Sequence, residues 1–133
     1  ATAPDWPRAA GLAVDEGGFI AVNRMLQSTS HDFVFAAGDV ATMIRSPRPR
    51  SGVFAVRQGP PLARNLRLAL QGFAPKPYRP QRTFLSLIST GDESAVASKG
   101  PFAAAGPALW RWKRWIDRRW MRQYQELPAR SAP

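Results

Sequence analysis

The sequence predicts an α+β chain: short strands and a kinked helix first, then an antiparallel hairpin and a terminal amphipathic helix. Three observations lead there. "FVFAA" (33–37) is an apolar run without alternation, as suits a strand covered on both faces in a parallel α/β unit. Between Val53 and Gln71 the apolar residues recur at helical spacing. "TFLSLIST" (83–90) and "SAVAS" (94–98) flank the turn residues "GDE", the pattern of a hairpin.

Taken in order, "GGFIAVN" (17–23) reads as a short strand introduced by two glycines, and "MLQSTSHD" as a polar connection to the strand 33–37. "RSPRPRSG" (45–52) is a proline- and arginine-rich loop. The following helix carries Val53, Val56, Leu62, Leu66, Ala69 and Leu70 on its apolar face, and Pro60-Pro61 predicts a sharp kink or two consecutive helices. Gly72 suits a C-terminal cap. "APKPYRPQ" predicts an extended linker, since proline restricts itself and its predecessor. The hairpin closes with "KGPF", and "LWRWKRWIDRRWMRQY" (109–124) is the last helix. The organisation expected is 1–72, a linker at 73–82, and 83–133.

Composition narrows the function classes. A chain of 133 residues fits a domain of ordinary size with a real core. Cysteine is absent, which excludes disulfides, thiolate metal sites and thiol redox chemistry within these residues. One histidine, His31, and nine scattered acids give no metal-ligand spacing. No stretch approaches the roughly 20 apolar residues of a membrane span, and no basic-then-apolar leader opens the chain. A cytoplasmic protein is the expectation.

The net charge of +10 is uneven. No acid lies between Asp39 and Asp92, and six basic residues from Arg111 to Arg122 face Asp117 alone. Such fields attract phosphates, whether of nucleic acid, lipid headgroups or a nucleotide cofactor.

Gly38-Asp39 ends the apolar run and supports two readings. Glycine allows close backbone approach, and the carboxylate can accept two hydroxyl hydrogen bonds from a sugar or sugar alcohol. Alternatively, the pair is a strand-ending turn whose Asp caps the next helix.

The wider pattern, "GFIAVNRMLQSTSHDFVFAAGDVA" followed by "SGVFAVRQGPPLARNL", resembles the C-terminal part of the pyridine nucleotide-disulfide oxidoreductase superfamily. It looks most like the type II NADH dehydrogenase-like branch, including members beside or fused to selenide, water dikinase. The resemblance runs from about Gly11 to Tyr124. It implies the C-terminal part of an FAD/NAD(P)-binding α/β domain, with FAD as cofactor and NADH or NADPH as co-substrate. By that resemblance Asp39, after Gly38, holds the ribitol of FAD. The start of the following helix (Gly52, Val53, Phe54) points its dipole at the pyrimidine edge of the flavin, where free N–H groups favour negative charge. Hydride would pass from the nicotinamide to the flavin. Gly52 and Val53 depart from the Ala-Gln of quinone-reducing relatives, and Arg57 stands where Gln is frequent, so the acceptor is left open.

Neither GxGxxG fingerprint of that superfamily is present. The superfamily places both upstream, and "ATAPDWP" resembles the point where its chain leaves the nicotinamide domain. The expectation is a C-terminal fragment that does not transfer hydride alone. A strand 33–37 without its sheet neighbours is expected to drive self-association.

On the last helix Leu109, Trp112, Ile116 and Trp120 fall on one face, and Arg111, Arg114, Arg118 and Arg122 on the other. An indole stripe opposite a basic stripe suits an anionic membrane surface, peripheral on the inner face. It equally suits a helix docking its tryptophans on the protein's own core or a sister subunit. The competing function class is a non-catalytic basic module that binds a membrane, a protein partner or RNA. Nucleic acid is disfavoured, because the aromatics lie on a helix and no strand platform for stacking is recognisable.

Overall fold

The computed structural model describes residues 2–125. The chain divides into two compact units, one ending at Gln81 and the other beginning at Arg82. Its content is mixed, with small sheets and three α-helices among the described residues.

In the first unit a single helical turn, α1 (Trp6–Ala9), leads to β1 (Ile20–Val22). The Gly17-Gly18 turn before β1 is tied by Asp15, whose N–H donates to the Phe19 carbonyl at 2.8 Å while its Oδ1 accepts from the Phe19 N–H at 3.0 Å. β1 pairs in parallel with β2 (Ala41–Met43), in the register Ile20–Ala41, Ala21–Thr42, Val22–Met43. All three β1 residues are buried. The non-alternating strand of a parallel pair is therefore β1, as expected where both faces are covered.

The expected strand 33–37 does not form. Its middle makes an isolated bridge, Gln27 to Phe35, and two backbone bonds with the chain just before it: Ser28 N–H to Val34 and Ala36 N–H to Leu26. Residues 26–28 and 34–36 thus close on each other around a tight loop, and Phe33 lies at the loop end, 77 % exposed. Gly38–Val40 then forms a 3₁₀ turn rather than the tip of a strand. Val34 and Ala36 have backbone partners within the chain on the side that faces 26–28.

Leu26 is the pivot of this region. It is fully buried yet has φ of 61°, a conformation unfavourable for a bulky L-residue. Asn23 holds it there, its Oδ1 accepting from the N–H groups of Met25 (2.8 Å) and Gln27 (3.2 Å). Leu26 joins Ile20, Val22, Ala36 and Met43 in the core, with Leu12, Val40, Leu62 and Tyr78 packed around it.

α2 (Gly52–Leu70) is one helix, with Pro60 and Pro61 inside it. The two-helix alternative is thereby excluded: each proline lacks a ladder N–H, but the bonds on either side keep the turns in succession. Its inner stripe is also rotated from the apolar face expected. The buried positions are Phe54, Gln58 and Asn65, with Leu62 against the core, whereas Val56 and Leu66 are exposed and Leu70 is 89 % exposed. α2 ends in a Schellman motif. Gly72 (φ 75°) donates to Ala69 at 3.0 Å and Phe73 donates to Leu68 at 2.8 Å, as the cap expected at Gly72 requires.

The proline-rich segment after Gly72 has no regular structure but is docked on its own unit. Asn65 donates to the carbonyls of Met25 and Lys76, both at 2.8 Å, and accepts from the Lys76 N–H at 3.0 Å. Its side chain is fully buried and fully bonded. Tyr78 adds a backbone bond to Arg24.

The second unit is a three-stranded antiparallel meander, β3 (Ser86–Ser89), β4 (Ala95–Lys99) and β5 (Phe102–Gly106), with β4 in the centre. The hairpin expected is β3–β4, in the register Ser86–Ser98 to Ser89–Ala95. Its return is a full third strand. Gly100-Pro101 makes the two-residue turn, with φ of 60° at Gly100, which fits the type II′ preference for glycine at the first central position. α3 (Pro107–Gln125) starts with proline at its first position, where a missing N–H costs nothing, and packs on the sheet, chiefly on β4.

A candidate cofactor cleft

The 3₁₀ turn, β2 and the start of α2 enclose a cleft in the first unit, lined among others by Gly38, Asp39, Thr42, Arg48, Ser51, Phe54 and Gln58. The approach of the turn to the helix depends on Gly38. Its φ is 72°, and a Cβ there would meet the Ala55 Cβ at 3.3 Å. Its N–H donates to the buried Gln58 Oε1 at 2.6 Å. The close approach that glycine permits is thus made to α2 of the same unit. Gln58, in turn, fixes the backbone from which Asp39 projects.

Asp39 is exposed at the cleft, and no described residue holds its carboxylate by a hydrogen bond or ion pair. It does not cap α2; Ser51 is the N-cap residue, and it makes no side-chain capping bond. The Phe54 and Ala55 N–H groups both return to the Ser51 carbonyl, at 3.0 and 3.2 Å. That leaves the amides of Gly52 and Val53 at the helix start without an internal acceptor, as first-turn amides are. The first turn of α2 contains no acid.

Of the five residues the sequence singles out, Gly38, Asp39 and Phe54 line the cleft together. Gly52 and Val53 stand at the helix terminus beside it without lining it, and the Phe54 amide is already used. Two polar atoms near the cleft, Ser51 Oγ and Arg48 Nε, are buried with no partner in the described protein. Buried polar groups are rarely left unsatisfied, so these two atoms suit a bound polar ligand.

Sequence reasoning missed the support of the cleft. Gln58 lies four residues after Phe54 on the inner stripe of α2, so its position was readable once that stripe was known. Arg50 had no local signal. Its guanidinium lies 3.3 Å from the Phe19 ring centroid and donates to Thr42 Oγ1 at 2.9 Å, with Asp15 Oδ2 at 3.5 Å. Thr42 in turn donates to Asp15 Oδ2 at 2.6 Å. Burial pushes the Asp15 pKa up. The Thr42 hydroxyl, the Phe19 and Gly17 amides and the Arg50 charge outweigh it, and the carboxyl is held below the ordinary aspartate value. Among the described residues no cluster of histidine, cysteine or acid suits a metal.

A comparison with known protein families falls on this same stretch. Residues 2–59 match the pyridine nucleotide-disulphide oxidoreductase family model. The cleft, Gly38 to Gln58, lies wholly within the match, and the second unit lies outside it. The chain is also 33 % identical over 93 residues to "Oxidoreductase ptaL" of Pestalotiopsis fici. That alignment takes in 70 % of this chain and 24 % of the relative, so the chain spans about a quarter of that protein's length. Both findings make the chain similar to oxidoreductases.

Proposed function

We propose that the chain contributes the ribitol and isoalloxazine contacts of an FAD-dependent NAD(P)H oxidoreductase, as the C-terminal part of a longer protein of the type II NADH dehydrogenase-like branch. What carries the reading is a free carboxylate, Asp39, and a free helix start, Gly52-Val53, at one cleft inside the family match.

The residues present suit the group. Asp39 accepts hydroxyl hydrogen bonds from the sugar-alcohol chain, and Gln58 keeps the Gly38-Asp39 backbone in place through its 2.6 Å bond. Ser51 Oγ and Arg48 Nε supply the polar atoms that the protein leaves without a partner. The Gly52 and Val53 amides, the α2 dipole and the nearby arginines favour an anionic ring edge. Bound there, a flavin supplies two-electron acceptance from NADH or NADPH. The nicotinamide nucleotide is held by residues outside this chain.

The product of the complete gene, purified, should be yellow and bleach on addition of NADH or NADPH. Asp39→Ala should cost on the order of tenfold or more in flavin retention, as expected when a charged hydrogen-bond acceptor is removed. A colourless, folded product would overturn the reading.

A further inference from the structure

We propose that the cleft also binds a carboxylate, held by the Arg48 guanidinium and the Tyr78 hydroxyl, so that its second ligand is a small organic acid. In the terms of the cofactor reading, on which its role rests, this acid is the small molecule that shares the cleft with the flavin. Of the polar atoms open there, Arg48 then goes to the acid, while Ser51 and the α2 amides stay with the flavin.

The starting point is a set of donors with nothing to donate to. Among the described residues, the buried side-chain nitrogen and oxygen atoms without a hydrogen-bond partner are Arg48 Nε, Ser51 Oγ, Tyr78 Oη and Gln81 Nε2. Each is able to donate, and Arg48 Nε and Gln81 Nε2 can do nothing else. All four lie in the stretch between Asp39 and Asp92, which contains no acid. Buried donors left open cost free energy, so a group of them without an acceptor points to one supplied from outside.

Arg48 and Tyr78 come from different segments. Arg48 lies on the loop before α2 and lines the cleft beside Ser51. Tyr78 belongs to the docked proline-rich segment, where its N–H donates to the Arg24 carbonyl at 2.8 Å and its side chain packs against the core. Burial raises the pKa of its hydroxyl, and the charges of Arg57 and Arg48 offset this only in part. Both charges are therefore near enough to act on it, and the hydroxyl keeps its proton at neutral pH, ready to donate. Arg48 gives its Nη1 to the Pro47 carbonyl at 3.1 Å. Nε and Nη2, on the other side of the guanidinium, form the fork that a carboxylate fills with two parallel bonds.

Charge sets the class of ligand. Arg50, the other arginine lining the cleft, is taken up by Thr42 at 2.9 Å and Asp15 at 3.5 Å. Arg48 has no described acid as a partner, and Asp39 stands exposed on the same cleft with its own negative charge. One open guanidinium beside a neutral hydroxyl balances a single negative charge, and Asp39 repels a second. A carboxylate meets both conditions, whereas a phosphate dianion does not.

The test follows the arginine Nε–H signals of the full, isotope-labelled chain by NMR, with sodium acetate as the probe. Arg48→Lys identifies the relevant signal by its loss. Acetate should shift that signal saturably, and sodium chloride at equal ionic strength should leave it in place. Tyr78→Phe should weaken acetate binding by about tenfold or more, as when a hydrogen bond to a charged group is lost. Should that variant not fold by far-UV dichroism, titration calorimetry of Arg48→Lys takes its place. There the charge is kept and the fork is lost, and affinity should again fall by about tenfold. An unmoved signal, an equal shift with chloride, tighter binding of inorganic phosphate than of acetate, or an unchanged affinity in either variant would each overturn the proposal. The colour of the complete gene product is read separately. A colourless product whose Arg48 signal still answers to acetate loses the flavin and keeps the site. A yellow one whose signal does not answer keeps the flavin and loses the site.

Discussion

The two units use their side chains in opposite ways. The first buries Val22 and Leu26 completely and bonds the buried side chains of Asn65 and Gln58 into place. The second buries mainly alanine, at Ala95 and Ala97, and no residue of α3 is buried although the helix carries four tryptophans. A hydrophobic side chain contributes to stability only when the fold covers it. The same residue left outside becomes a surface for something else, so tryptophan content alone says little about where the core lies.

The contrast is open to measurement by melting or urea titration of the whole chain. The largest loss is expected from Leu26→Ala, about 3–4 kcal/mol, because a fully buried aliphatic side chain leaves a cavity. Asn65→Ala should follow at about 2–3 kcal/mol, since it strands the Lys76 N–H and two carbonyls that the amide now satisfies. A loss under 1 kcal/mol there would mean that the proline-rich segment is not held by this side chain.

Acid should act through Asp15. Its folded pKa lies below the ordinary value, so its contribution is present above about pH 3.9 and is lost as pH falls through the folded pKa. Asp15→Asn should therefore be less stable than the native chain at neutral pH, with the gap narrowing in strong acid. A gap independent of pH would remove the Asp15–Thr42–Arg50 cluster from the account. The smallest effect is expected in the second unit, where Trp115→Ser should change stability by less than about 0.5 kcal/mol. A large loss there would show that the indole is covered and would undo the contrast.

Two features of the cleft were legible in advance. Gly38-Asp39 stands out as a break after an apolar run, and the helix start at Gly52 follows from the loop before it. What stayed hidden was the backing. The inner stripe of α2 contains Gln58 and Asn65, so an apolar pattern search settles on Val56, Leu66 and Leu70 and rotates the helix away from its true face. The run 33–37 misleads for a related reason. It is apolar enough for a central strand, but its backbone pairs with residues 26–28, and Ala41–Met43, with weaker apolar character, takes the place beside β1.

Local chemistry alone determined the glycine-assisted turns, the Schellman end of α2, the II′ turn of the meander and the helical character of 109–124, because each depends on residues within a few positions of one another. Only the tertiary structure decided which side of each helix is covered, which segment joins the parallel pair, and that Asp39 sits free at a cleft backed by Gln58. Those outcomes rest on partners up to 40 residues apart, such as Asn65 and Met25, where the competition among buried polar bonds is settled by the fold as a whole.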